Sequence, residues 1–331
     1  MTPSLALVVI ARDAADTLGD CLRSARDHVD RLLVLDTGSR DDTVAVARRE
    51  GAEVHLMTWV DDFSAARNRA LDLAGADWHL VLDADERLVA GAELLPALIA
   101  GAPTPWQVRI DSAFDAPEAG PGHDATGRSW ITRLLPGHVR YAGRIHEQPQ
   151  CAVAAQRSGI VLSHSGYRRE AMAAKQARNL HLLTLSLNEH PHDPYLLYQL
   201  GKSLEVAEAA GALQYYREAW AGCPVNASWR HDLLIRYLHA LGQAGHTLEA
   251  LALAEQEQPA WLESPDFYFV LGNLCLDQGL LAPQEAMTRW LPLARAAWQR
   301  CLAIGERPDL SGSVAGRGSW LARHNLSLLP D

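Results

Sequence analysis

Apolar and polar positions along the first 110 residues fall into blocks, each about as long as one secondary-structure element. Leu5–Ile10 is a continuous apolar run, the pattern of a strand buried on both faces. A helix is expected from about residue 14 to 26, with Asp13 as its cap and Asp16 in its electropositive first turn. Arg31–Leu35 predicts a second strand, ending at Asp36-Thr37-Gly38-Ser39. The next helix should run from about 41 to 50 and stop at Gly51. Glu53–Met57 reads as a third strand, 63–74 as a helix closed by Gly75, and Trp78–Leu82 as a fourth strand. Short apolar strands alternating with helices predict an α/β fold whose mostly parallel sheet is covered on both faces.

From about 105 to 167 the pattern loosens into extended segments with many glycines and prolines. Trp106–Ile110, Trp130–Leu135 and Ile160–Ser163 read as strands there. Beyond Arg168-Arg169-Glu170 the chain is helical in pattern to its end, which divides it into domains 1–169 and 170–331. The second half carries a degenerate repeat. Leu197, Leu200, Gly201 and Leu204 have the spacing of the first helix of a tetratricopeptide repeat, and Ala212, Tyr216, Ala219 and Pro224 that of its second helix and terminator. Tyr268, Leu271, Gly272 and Cys275 return to the first spacing, followed by Ala294, Trp298 and Cys301. An ordinary helical bundle would also suit these helices, but the small residue recurring at the crossing point, Gly201 and Gly272, favours stacked pairs.

Composition narrows the function classes. At 331 residues, 48% hydrophobic and 21% charged, the chain is globular. A formal net charge of -10 argues against a nucleic-acid surface, though not against a nucleotide ligand. Five scattered cysteines without C-x-x-C spacing suit buried thiols in a reducing compartment. With neither a signal-peptide pattern nor an 18-residue apolar stretch, a cytoplasmic location is expected.

The chemistry-bearing residues cluster where strands end. Leu80-Val81-Leu82-Asp83-Ala84-Asp85-Glu86 puts three carboxylates after an apolar strand, the edge at which open parallel sheets bind ligands. Asp83 and Asp85 are spaced to offer hard oxygens to a divalent cation; a solvated acidic loop would read the same in isolation. Asp36 ends a strand where its carboxylate could accept from a base or ribose, although Asp36–Thr43 is also a turn built on capping chemistry. Arg67, in Asp61-Asp62-Phe63-Ser64-Ala65-Ala66-Arg67-Asn68, suits a diphosphate clamp or a plain surface site. His164 follows a strand and could add an imidazole to two carboxylates, and Glu147 could act as a base. A polar hinge between domains accounts for both equally simply.

Taken in order, these motifs resemble glycosyltransferase family 2, of GT-A (Rossmann-like) fold, in its branch with a tetratricopeptide-like tail that includes bacteriocin peptide S-glycosyltransferases. The residues carrying the resemblance are Asp36-Thr37-Gly38-Ser39, Asp61–Asn68, Asp83–Glu86, Arg144-Ile145-His146-Glu147-Gln148, His164-Ser165-Gly166-Tyr167 and Trp320–Leu326. The resemblance implies inverting transfer of a sugar from a nucleotide donor, usually uridine-linked, with Mn²⁺ or Mg²⁺ as cofactor. It implies donor contacts from Arg12, Asp36, Gly38, Arg67 and Asp83. Metal ligands would be Asp83, Asp85 and His164, and Glu147 with His146 would lie on the catalytic side, with Asp111 as the other carboxylate eligible as base. Where this branch usually ends its first strand in Lys-Asn-Glu, the chain has Arg12-Asp13-Ala14. The Gln-x-x-Arg-Trp motif of processive synthases is missing, which favours single-sugar transfer.

The expected acceptor is a protein or peptide, with lipopolysaccharide or another cell-envelope glycan as the alternative, and the helical domain either presents the acceptor or forms a homodimer. An inactive repeat-containing adaptor is the second alternative, opposed by the intact Asp83, Asp85, His146, Glu147 and His164. Nucleic acid is not an expected partner.

Overall fold

The computed structural model describes residues 2–114, 125–164, 169–205 and 209–330. It separates into two compact units, residues 1–112 with 130–182 and residues 113–129 with 183–331. The first unit holds β1 (Leu5–Ala11), α1 (Ala15–Ala25), β2 (Arg31–Asp36), α2 (Thr43–Arg49), β3 (Glu53–Leu56), α3 (Phe63–Ala74), β4 (Trp78–Asp83), β5 (Glu86–Ala90) and α4 (Leu95–Ala100). β6 (Trp106–Phe114), β7 (Ala125–Pro136), the small hairpin β8 (Arg140–Ala142) and β9 (Gln148–Gln150), and β10 (Gln156–His164) follow. The sheet order is β3-β2-β1-β4-β7-β6-β10-β5.

The half of the sheet read most clearly from sequence, β3-β2-β1-β4, is parallel throughout. Its strands are apolar on both faces because both are covered. Leu5, Leu7, Val9 and Ala11 of β1 pack with Leu18, Cys21 and Leu22 of α1 on one side. Ala6 and Val8 pack with Ala66, Ala70 and Leu71 of α3 on the other. The remaining half is mixed: β7 runs antiparallel to β4, β10 parallel to β6, and β5 antiparallel to β10. Only Ala84 and Asp85 separate β4 from β5, although three strands lie between them in the sheet order. Three Cα steps reach about 11 Å, whereas four flat inter-strand gaps need about 19 Å. The sheet therefore curls, returning its last strand to the end of β4.

Helix boundaries follow the expected ones within two residues, and α3 matches at both ends, with Asp62 accepting from the Ala65 amide at 2.9 Å and Gly75 left-handed beyond its last turn. One capping expectation needs correction. Asp13 does not cap α1: it takes a left-handed backbone (φ 49°) and turns its carboxylate to the Arg40 amide at 2.7 Å. The Ala14 and Ala15 amides are satisfied instead by Thr43 Oγ1 and Asp41 Oδ2, at 2.7 and 3.0 Å.

Of the helical unit, α5 (Arg169–Glu189) enters from the first unit, and α6 (Pro194–Glu205), α7 (Ala209–Gly222), α8 (Arg230–Gln243), α9 (Thr247–Glu257) and α10 (Pro265–Leu281) follow. The one-turn α11 (Pro283–Glu285), α12 (Leu291–Ile304) and α13 (Trp320–Ser327) complete it. Successive helices pack in pairs, α6 with α7 and α10 with α12 most extensively, an arrangement that fits tetratricopeptide-like repeats. The crossing-point glycines act as the repeat spacing predicts: a Cβ on Gly201 would stand 2.4 Å from the Tyr216 ring, and one on Gly272 2.4 Å from the Trp298 indole. All five cysteines are free thiols. Among the described residues no helix is long and apolar enough to cross a membrane.

His79, in the middle of β4, is 1% exposed, opposite Ala6 on one neighbouring strand and Leu135 on the other. Neither ring nitrogen has a hydrogen-bond partner among the described residues. Burial pushes the imidazole down to about 4, with the Arg140 charge adding to the effect. The folded value lies below the unfolded one, so the unfolded chain takes up the proton first as pH falls. Stability should be undiminished above about pH 6.5 and lost progressively toward pH 4, by at most about 3 kcal/mol from this group. Urea midpoints measured across that range should show the loss in the wild type, and His79→Leu should flatten it without lowering stability at neutral pH.

Candidate active site

The end of β4 delivers Asp83, and the two-residue link delivers Asp85, at the carboxyl edge of the parallel strands. Asp83 lies in register with Ile10 of β1, and Asp36 with Ala11, so both acidic strand ends share one edge with the loop that begins at Arg12. His164 closes β10 directly opposite Glu86 of β5. The curl described above is thus what brings Asp85 and His164 together: Asp85 Oδ2 lies 3.2 Å from His164 Nε2. Ser112 Oγ lies 3.4 Å from His164 Nδ1, on the far side of the ring. A carboxylate oxygen beside an imidazole nitrogen whose other nitrogen has a polar neighbour is a donor set suited to a divalent cation.

Asp83 is engaged by two arginines. Its Oδ1 accepts from Arg67 Nη2 at 2.7 Å and its Oδ2 from Arg133 Nη2 at 2.6 Å. Arg133 Nη2 also reaches Glu86 Oε1 at 2.8 Å, and the other Glu86 oxygen accepts from the Asp83 amide at 2.8 Å. Among the described residues no group of three His, Cys, Asp or Glu side chains is arranged to hold a metal. Two buried guanidiniums take both oxygens of the Asp83 carboxylate. Burial works against its charge, yet Arg133 and Arg67 hold the group well below the usual carboxylate range. Glu86 moves the other way; burial, reinforced by the Asp83 charge, raises it despite Arg133.

Arg67, expected at a diphosphate, is 6% exposed and already neutralised inside the protein. Its Nε donates to Glu147 Oε1 and its Nη2 to Asp83, with the guanidinium 5.5 Å from the Tyr141 ring centroid. Burial also pushes the Tyr141 phenol up to about 12. Next to Arg67, Asn68 grips the backbone of the same tyrosine twice, accepting from its amide at 2.7 Å and donating to its carbonyl at 2.9 Å. The Arg67-Asn68 pair on α3 therefore holds the β8–β9 hairpin, whose turn carries His146 and Glu147. His146 sits there with a left-handed backbone, φ 51°. Glu147 keeps Oε2 beyond its Arg67 contact. Asp111, by contrast, has both oxygens held in the Arg109 fork at 2.8 and 2.9 Å.

Asp36 is 2% exposed, and its carboxylate closes the turn after β2, accepting from the Gly38 and Ser39 amides at 3.0 Å each and from the Ser39 hydroxyl. Gly38 supplies the left-handed backbone (φ 106°) that this turn requires. Arg12 projects from the end of β1 with its side chain 41% exposed, its ion pair to Asp13 long at 3.9 Å. Sequence reasoning missed Arg133. The signal was its phase on β7, two residues before the fully buried Leu135 and on the same face.

Residues 6–171, half of the chain, match the family model described as glycosyl transferase family 2. A TPR repeat-containing protein of Synechococcus elongatus is 35% identical over 221 residues, covering 60% of this chain and 51% of that protein. The SPbeta prophage-derived glycosyltransferase SunS of Bacillus subtilis is 25% identical over 216 residues, covering 62% of this chain and 50% of that protein. The chain thus spans about half the length of the curated relatives it matches. Among solved structures, glucosyl-3-phosphoglycerate synthase from Mycobacterium tuberculosis, in complex with phosphoglyceric acid, is similar at 24% identity and a TM-score of 0.27. That likeness covers 33% of this chain and 43% of the synthase.

The buried network makes a stability prediction. Arg133 bridges Asp83 and Glu86 at 5% exposure. Arg133→Met keeps the volume but leaves the buried Glu86 short of a counter-ion and Asp83, whose side chain is 38% exposed, with Arg67 alone, a change that costs about 3 kcal/mol, the low end for a broken buried pair. Chemical denaturation of wild type and variant at neutral pH should show that loss, and part of it should return at low pH as Glu86 takes up a proton.

Proposed function

The chain belongs to glycosyl transferase family 2, and from that premise we propose that it transfers a single sugar from a nucleotide-sugar donor, uridine-linked, to a protein or peptide acceptor. The observation that carries the reading is the Asp85–His164 pair, 3.2 Å apart at the carboxyl edge of the parallel strands. These two side chains would hold Mn²⁺ or Mg²⁺, which when bound supplies positive charge against a departing diphosphate. Asp36 and Gly38, in the tight turn after β2, would line the side of the edge that receives the base and ribose.

The acceptor's oxygen or sulfur attacks the anomeric carbon as the bond to the diphosphate breaks, and the configuration inverts. The acceptor's proton passes to Glu147. One oxygen of that carboxylate is fixed by Arg67, which orients the other for the transfer. The choice of Glu147 over Asp111 rests on one Glu147 oxygen being engaged by Arg67, against both of Asp111's by Arg109. The stacked helix pairs of the second unit support a peptide or protein acceptor, because repeats of this kind present extended surfaces to polypeptides. Similarity to SunS, a glycosyltransferase, and to a TPR repeat-containing protein agrees with that division of labour.

Two measurements test the reading. Donor hydrolysis and transfer should be followed with uridine, guanosine and thymidine diphosphate sugars, with Mn²⁺ and with excess chelator. Activity should need the metal and fall at least a hundredfold in Asp85→Asn, while the unfolding midpoint barely moves; metal-independent turnover, or an active Asp85→Asn, refutes the metal role. Glu147→Gln should lower turnover about 10²–10⁴-fold with donor affinity nearly constant. A parallel fall in affinity would make Glu147 a binding residue and leave Asp111 as the base.

A further inference from the structure

Arg67 has no charge to spare, which raises the question of where a donor's diphosphate would find a cation besides the metal. One guanidinium in the first unit is in the opposite condition. Arg178, on the third turn of α5, lies 5.1 Å from the centroid of the Phe63 ring. Its Nη2 donates to Asn179 Oδ1 at 3.3 Å, its Nε is buried without a partner, and among the described residues no carboxylate pairs with it. In a chain with 40 acidic residues against 30 Lys and Arg, an arginine half-removed from water and without a counter-ion is an anomaly that costs stability.

Its surroundings make the anomaly directional. Phe63 is the first residue of α3; its ring packs edge-on against Trp59 at 4.8 Å, and its amide donates to the Arg144 carbonyl at 2.8 Å. Trp59 is held in turn by Asp61 Oδ1 at 2.8 Å, with Asp61 in a left-handed backbone, φ 55°. The guanidinium is therefore supported on a fixed aromatic platform. The charge that acts on it is not acidic but basic: burial lowers the Arg178 pKa and the neighbouring Arg12 lowers it further. Arg12 stands two residues beyond Ile10, the register partner of Asp83, and so at the same sheet edge as the Asp85 link.

We infer that Arg178, together with Arg12, is the cationic seat for the diphosphate of the nucleotide donor. This deepens the donor reading above and rests on it. Arg178 has no carboxylate among the described residues and Arg12 only the long, exposed contact to Asp13 at 3.9 Å, so a diphosphate supplies the counter-charge and hydrogen-bond acceptors that Arg178 lacks and Arg12 has only in part. The aromatic support keeps Arg178 in place at little entropic cost. The carboxylates engaged with Arg67 and Arg133 keep those two arginines out of competition for the same anion.

The test is calorimetric titration of the full chain, in the presence of Mn²⁺, with UDP, uridine and inorganic pyrophosphate, comparing wild type, Arg178→Gln and Arg178→Lys. Arg178→Gln should bind UDP and pyrophosphate at least tenfold more weakly and uridine within twofold of wild type, with Arg178→Lys in between. The melting temperature of the ligand-free Arg178→Gln protein should be unchanged or higher, because an unpaired cation has been removed. UDP affinity within threefold of wild type overturns the inference while leaving the donor reading intact. A lowered ligand-free melting temperature with equal losses for uridine and UDP also overturns it, by making Arg178 structural. If wild type binds neither UDP, GDP nor dTDP but binds pyrophosphate through Arg178, the donor reading falls and the anion seat stands. Failure to bind any of these probes overturns both.

Discussion

Two guanidiniums and three carboxylates meet beneath the Asp85 link, all but Asp83 largely buried, and the balance among them organises what surrounds it. Arg67 and Arg133 grip Asp83 from two sides, Glu86 closes on the Asp83 amide, and Glu147 is drawn in from the β8–β9 hairpin by Arg67. Each ion would be prohibitive alone in that setting. Together they are mutually conditional: the strand end, the hairpin and the helix carrying Arg67 must all be in place for any to keep its charge. Raising Glu86 toward its neutral form moves two cations and three anions closer to balance. The cluster is thus a device of position, fixing where β4 stops and where the hairpin turn sits.

Backbone strain in the first unit is gathered in its loops. Asp13, Asp61 and His146 are the non-glycine residues with left-handed backbones among those described, and all three occupy loops of the first unit. Such conformations cost on the order of 1–3 kcal/mol each and persist only where the surroundings over-determine them. The surroundings are visible here. Asp13 is tied to the Arg40 amide, Asp61 to the Trp59 indole, and the His146 turn is bracketed by the short β8–β9 ladder. This strain sits in three separate loops, while β1 pairs with β2 and β4 in unbroken register beneath them.

The parts of this architecture legible in the sequence were those governed by local rules. Continuous apolar runs marked β1, β2 and β4 because both faces of each are covered, and Gly75 closed α3 where its left-handed backbone was needed. Gly201 and Gly272 were readable as crossing points because only a missing side chain lets Tyr216 and Trp298 approach. Long-range pairing hid the rest. Glu86–Ala90 is a strand only because it pairs with β10, whose residues lie more than seventy positions downstream. The buried neighbours of Asp83 and Arg67 were not legible, since nothing local announces that Arg133 will arrive from β7 to claim a carboxylate. Arg178 was invisible for a related reason: a helical arginine declares itself only through the partners it does not have.

The curl of the sheet has a mechanical consequence. Asp85 hangs on two residues strung between a strand in the interior of the sheet and one at its far edge, each locked into its own ladder of hydrogen bonds. A bridge that short has almost no slack, so Asp85 cannot swing away without one of those strands slipping, and a slip of one position would turn a buried face outward. Loops that close over a ligand gain adaptability at the cost of reordering each time they do so. Here the position of the carboxylate is set by the pairing of two strands of the sheet itself.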